Sequence, residues 1–233
     1  MRLCLVTAAV CLVLALVYSS VLAQPCGGPQ GGLGAFLRQI TGEWIGICEQ
    51  TTDGEKAEDK FFHALVKQID DTTFESCFEY YRVDRKTGQP IRAGGSTVVT
   101  TIGPDGEAKS RITGRGIVLV YEKPKNQAHE LLEVVRAAGA SGLTSEGKGK
   151  IRVSGMPFGL GKNGRIANAR SAWTLENGEL TVHQTFRLGF RALVFTKHFN
   201  VVAHYTARRG SDVAGLINNS TRVSAEPSHA AFQ

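Results

Sequence analysis

From Glu43 onward, apolar and polar residues alternate in short runs cut by turn residues. In the run 74–83, Phe74, Phe78 and Tyr80 share one parity, and Glu75, Cys77 and Glu79 share the other. In the run 192–205, Leu193, Phe195, Phe199, Val201 and Tyr205 oppose Thr196, His198, Asn200 and His204. A period of two sends successive side chains to opposite faces, so each strand has one buried and one wet face. Similar β-branched and aromatic runs cover 43–51, 61–69, 97–102, 108–113, 117–121, 129–135, 151–153, 171–175 and 180–187. Between runs lie Asp53-Gly54, Asp70-Asp71, Thr87-Gly88, Asp105-Gly106, Asn163-Gly164 and Asn177-Gly178. Asn-Gly and Asp-Gly accept the positive φ of tight hairpin turns, so they mark antiparallel neighbours. The pattern predicts an all-β fold, an antiparallel up-and-down β-barrel of about ten strands, which leaves no edge exposed.

A few segments depart from this rhythm. Leu33, Phe36, Leu37 and Ile40 recur at helical spacing and predict a short helical turn before the first strand. Residues 127–138 fit a strand or a helix, since Glu133-Val134-Val135 is ambiguous. Residues 137–150 are rich in Gly, Ala and Ser and read as a mobile loop, and residues 211–233 read as a loose tail.

The beginning of the chain changes the picture of where the barrel works. Residues 3–16 are almost purely apolar, Arg2 precedes them, and Val21-Leu22-Ala23 offers the small residues of a cleavage site. This is the pattern of a cleaved secretory signal over residues 1–23, and it implies a secreted or periplasmic protein with no stable membrane insertion after cleavage. A Gly/Pro-rich leader over 24–34 then precedes a barrel domain over 35–210. Removing the signal takes Arg2 and leaves 26 basic against 21 acidic residues, a mild surplus of +5. The lysines are interleaved with Asp and Glu along the sequence, which does not suggest nucleic acid as a partner. Three cysteines remain, and Cys48 with Cys77 is the first choice for a disulfide in an oxidising compartment, with Cys26 as competitor.

Candidate chemistry adds little. Gly159 to Gly164 matches GxGxxG, but no helix follows to meet a pyrophosphate, and Asn163-Gly164 reads better as a turn. Six histidines include no HExxH pair, and the cysteines have no CxxC spacing, so no metal site or cofactor is indicated. No GxSxG elbow is present, and Glu75 and Glu79 lie on the wet face, so no catalytic residue is assigned. His183, in phase with Thr181 and Thr185, is the candidate wall histidine of a cavity. Asn218-Asn219-Ser220-Thr221 holds two overlapping N-glycosylation acceptors, relevant in a eukaryotic secretory route.

Gly42-Glu43-Trp44 opens the strand series, and Arg208-Arg209 ends it. This arrangement resembles the calycin barrels, the lipocalin and fatty-acid-binding group. The resemblance implies that Trp44 packs across the closed end and that Arg208 or Arg209 lies over its ring, joining first and last strands. The Thr-Asp-Tyr-like turn of true lipocalins is absent, which leaves the fatty-acid-binding, haem-binding (nitrobindin-like) or uncharacterised lipocalin-like barrels. The expectation is a non-catalytic barrel for a small apolar or amphipathic ligand, lined by Phe62, Phe78, Tyr80, Leu119, His183, Phe195 and Phe199. The alternatives are an isomerase or cyclase on a lipid-like substrate with His183 as acid–base group, a haem-binding barrel, or a protein-interaction module.

Overall fold

A computed structural model describes residues 30–57, 59–84, 86–115, 127–153, 163–191 and 195–225. The signal segment, Cys26, Leu119, the run 117–121 and Gly159 to Lys162 lie outside these residues. Helix α1 (Gln30–Gln39) leads into β1 (Gly42–Thr52), followed by the two-residue β2 (Glu55–Lys56) and β3 (Lys60–Gln68). Then come β4 (Thr73–Val83), β5 (Pro90–Ile102), β6 (Ala108–Arg115), β7 (Gln127–Ala137) and β8 (Gly142–Val153). The chain continues with β9 (Asn163–Glu176), β10 (Glu179–Arg191), β11 (Thr196–Arg209) and helix α2 (Val213–Ala225). Every pairing is antiparallel, and all join sequence neighbours apart from β1 with β3, past the short β2, and β1 with β11. The β1–β11 pairing, which sets Trp44 against Arg209 and Cys48 against Tyr205, closes the ring. The fold is therefore the expected closed ten-strand antiparallel barrel.

Turn chemistry sets the hairpins. Asp53 and Gly54 adopt φ of 50° and 87°, and Asn177 and Gly178 adopt 52° and 80°. Two consecutive positive φ values match the right-handed strand twist, as the Asp-Gly and Asn-Gly pairs predicted. Asn163-Gly164 behaves differently from the expectation. It opens β9 and pairs with Arg152 and Ile151 rather than turning the chain.

The interior has two apolar layers. At one end α1 buries Leu33, Phe36, Leu37 and Ile40 against Trp44, Phe74, Val135 and Leu143, so the helix plugs the barrel. Nearer the other end, Leu131, Ile151, Ile166, Phe186, Leu188, Phe190 and Phe199 form a second cluster along β7–β11. A third cluster lies outside the barrel, where Val213 and Ile217 of α2 cover Ile45 and Phe61.

Four expectations about the irregular segments need correction. The Gly/Pro-rich leader ends sooner than expected, because α1 begins at Gln30. The segment after Arg209 contains a helix, because Val213, Leu216 and Ile217 fall at helical spacing and find an apolar patch on β1 and β3. The 127–138 ambiguity resolves as strand, with Leu131, Glu133 and Val135 buried and Leu132 exposed between them. The expected 137–150 loop is mostly β8. There Gly147 and Gly149 lie so close to the carbonyls of Leu132 and Glu130 that no Cβ would fit, so the glycines serve close strand approach.

Candidate functional site

At the plugged end, the indole N–H of Trp44 donates to the Ile40 carbonyl at 2.8 Å. The Arg209 guanidinium lies over the indole, with Cζ 4.1 Å from the ring centroid. Arg209 also donates to the Gln39 carbonyl at 2.5 Å and to the Thr41 carbonyl. A cation on the last carbonyls of α1 satisfies orphan acceptors and complements the helix dipole. Of the two candidate arginines, Arg209 makes the stack, while Arg208 is exposed and registers with Ile45.

Above this plug the barrel holds a partly open chamber of about 140 Å³. Parity decides what lines it. The even positions of β3 carry Lys60, Phe62, Ala64 and Val66 inward, and those of β4 carry Ser76, Phe78 and Tyr80. Aromatic rings dominate one side. Phe62 meets Tyr205 edge-on at 5.7 Å and Phe78 at 6.2 Å, and Phe78 meets Trp173 edge-on at 6.4 Å. Tilted and edge-to-face contacts are the arrangements aromatic rings prefer.

Two polar groupings interrupt this lining. The first spans β1, β3, β4 and β11. Cys48 registers with Lys60 on one side and Tyr205 on the other. The Tyr205 hydroxyl is hydrogen-bonded to Cys48 and to Tyr80, whose own hydroxyl lies 3.5 Å from that of Ser96. Lys60 is only 7 % exposed, and burial pushes its ammonium down to about 8. Burial likewise raises the Cys48 thiol, pushes Tyr80 up to about 12 and holds Tyr205 well above its ordinary value. At neutral pH this corner therefore carries a cation, a thiol and two protonated phenols.

The second grouping lies on β7–β9. Ser145 donates to Glu133 Oε2 at 2.7 Å and is 2.7 Å from the Ser171 hydroxyl, which accepts from the Trp173 indole at 3.1 Å. Burial raises the Glu133 carboxyl, with Ser145 opposing in part. Its Oε1 meets no hydrogen-bond partner among the described residues. His129 on the same strand also faces inward, and burial pushes it down to about 4, so the imidazole is neutral at pH 7. Among the described residues, no three His, Cys, Asp or Glu side chains converge to hold a metal.

The candidate residues fall into three sets. Phe62, Phe78 and Tyr80 line the chamber. Phe199 is buried, but it packs on Phe190 in the second apolar cluster rather than on the chamber. Phe195 is 55 % exposed, because it lies just before β11 and never enters the barrel. His183 is also misplaced by the sequence reading. It points outward and lies 6.3 Å from the ring of His204, because Val182 and Gln184 hold the inward parity. The acid–base alternative built on His183 consequently lacks a chamber to act in. Cys48 and Cys77 are both free thiols. They occupy opposite faces of the barrel wall with β3 between their strands, Cys48 inside and Cys77 beside the Glu75 carboxylate at 3.7 Å.

No protein-family model and no curated protein matches the chain. Among solved structures, it is similar to one described as the crystal structure of Rv2717c from M. tuberculosis. That comparison has a TM-score of 0.45 at 11 % identity, and it covers 76 % of this chain and 98 % of the other. The barrel itself fits the calycin architecture in general terms, through its closure, its plug and its Trp44–Arg209 seam.

The sequence reading missed Lys60, Glu133, Ser145, Ser171, Trp173 and Tyr205 as chamber residues. The usable signal was phase: Lys60 is two positions from Phe62, and Glu133 lies between Leu131 and Val135. The outer face also holds a surprise. Lys150 registers with Arg165, and exposed Arg152, Arg187 and Arg191 lie on the flanking strands, so cations scattered in sequence become neighbours.

Proposed function

We propose that the protein is a secreted, non-catalytic carrier of a small apolar or amphipathic molecule held inside the barrel. The observation that carries this reading is the partly open chamber inside the barrel, with aromatic residues on one side and a few polar groups. That combination is characteristic of small-molecule sites. Its volume narrows the size of the occupant. An apolar cavity of about 150 Å³ takes a benzene-sized molecule, whereas drug-sized ligands need roughly 300 Å³ or more. A single ring or a short chain matches that volume.

Isothermal titration of the mature protein with benzamide, a neutral one-ring compound, tests the reading. The expected result is one site per chain, lost when Val98→Phe fills the chamber while the thermal transition persists. Absence of binding to the wild-type protein at millimolar benzamide would overturn it.

A further inference from the structure

The carrier reading leaves one feature of the chamber unused, a buried lysine that forms no ion pair among the described residues. Lys60 is more than nine-tenths buried, and no carboxylate among the described residues forms an ion pair with it. Lys56, by contrast, holds Glu49 and Asp59 on the outer surface. An uncompensated charge inside a protein is costly, and burying two hydroxyls and a thiol next to it does not neutralise it. Glu133 does not serve as the partner either. It lies four strands away around the ring, it is engaged by Ser145, and burial favours its neutral form.

The position of Lys60 is as informative as its isolation. It is the first residue of β3, level with Cys48 and Tyr205 and above the Trp44–Arg209 seam, and Phe62 is the next inward residue below it. Tyr205, across β1 from Lys60, adds a hydroxyl at the same corner, and the rings of Phe62, Phe78 and Trp173 continue beneath. The chamber thus has a lysine at one corner and an aromatic wall beside it.

We propose that the ligand is a small monoanion with a planar apolar body, whose carboxylate docks on the Lys60 ammonium while its ring lies against Phe62 and Phe78. This rests on the carrier reading and adds the charge and orientation of the occupant. Binding supplies the missing counter-ion, and the phenol of Tyr80 or Tyr205 can donate to the second carboxylate oxygen.

Benzoate and benzamide are nearly isosteric and differ in charge, so their titration at pH 7 into the mature protein decides the matter. Benzoate is expected to bind roughly tenfold or more tightly than benzamide, the range of a charge-assisted contact. In Lys60→Met and Lys60→Gln that preference should vanish, the two compounds binding within about twofold of each other. Equal affinities in the wild-type protein, or a preference that survives both substitutions, would overturn the anion assignment and leave the carrier reading standing. Failure of both compounds to bind wild-type protein would overturn both.

Discussion

The plugged end of the barrel and the chamber above it are made from the same strands, yet they treat polar groups in opposite ways. At the plug, every notable polar atom is matched: the Trp44 indole has the Ile40 carbonyl, and Arg209 has the carbonyls of Gln39 and Thr41 as well as the indole face. In the chamber, among the described residues, Lys60 forms no ion pair and Glu133 Oε1 has no hydrogen-bond partner. The plug spends its polar groups on stability, whereas the chamber holds unmatched ones at a cost in stability. A site that must bind something else is expected to look like the second case.

Substitutions at the two places should therefore change stability in opposite directions. The largest effect is expected for Trp44→Ala, which removes a fully buried indole. Its cost should be about 3–5 kcal/mol in urea unfolding, and an unchanged midpoint would remove the plug from the comparison.

Lys60→Met should stabilise the protein, by about 2–3 kcal/mol at pH 7. The folded-state value of about 8 lies below the ordinary 10.5, so between these limits the unfolded chain binds more protons. The cost of Lys60 is thus fully present below pH 8 and fades as pH rises toward 10.5. The stability gap between Lys60→Met and wild type should close over that window, and a gap independent of pH would show that Lys60 is not strained.

Arg209→Ala should cost about 1–2 kcal/mol through the lost stack and carbonyl contacts, while Arg208→Ala should stay within about 0.5 kcal/mol. Equal effects from the two arginines would argue against a specific seam. The smallest effect is expected for His183→Ala, which should leave both stability and benzoate binding nearly unchanged, because the side chain faces outward. A clear loss of binding in that variant would move the site out of the chamber.

What was legible in the sequence follows the same division. Strand parity and Asp-Gly or Asn-Gly turns are local signals, so the barrel and its hairpins could be anticipated, while the Trp44 seam was implied by the resemblance to calycin barrels. Residues near the ring closure were harder to place. Phe195 shares parity with Phe199, but it precedes the first paired residue, Thr196, and is therefore outside. In β9, Asn168 takes a φ of 51°, and inward parity shifts from Ile166 to Ala169, Ser171 and Trp173, a change that a strict alternation would miss. Lys60 and Glu133 escape such a reading because charge ordinarily marks the wet face. The glycines of β8 look like loop residues because composition does not reveal how closely a neighbouring strand approaches. Cys48 and Cys77 both lie in strands, but only the strand order reveals that a whole strand and the thickness of the wall separate them.

The β1–β11 pairing has a consequence for how the molecule comes into being. Hairpins from β3 to β10 form between neighbours, but β1 keeps one unpaired edge until the last strand arrives. Joining two ends of a chain after everything between them is a long-range search, and such contacts slow folding. A nascent chain stopped before β11 presents two open edges, the surfaces through which strands of different molecules pair. Helix α2 follows the final strand and settles on Ile45 and Phe61, beside the new junction. Its docking comes last in chain order and makes reopening of the ring more costly, so it acts as a kinetic latch on a barrel that has just closed.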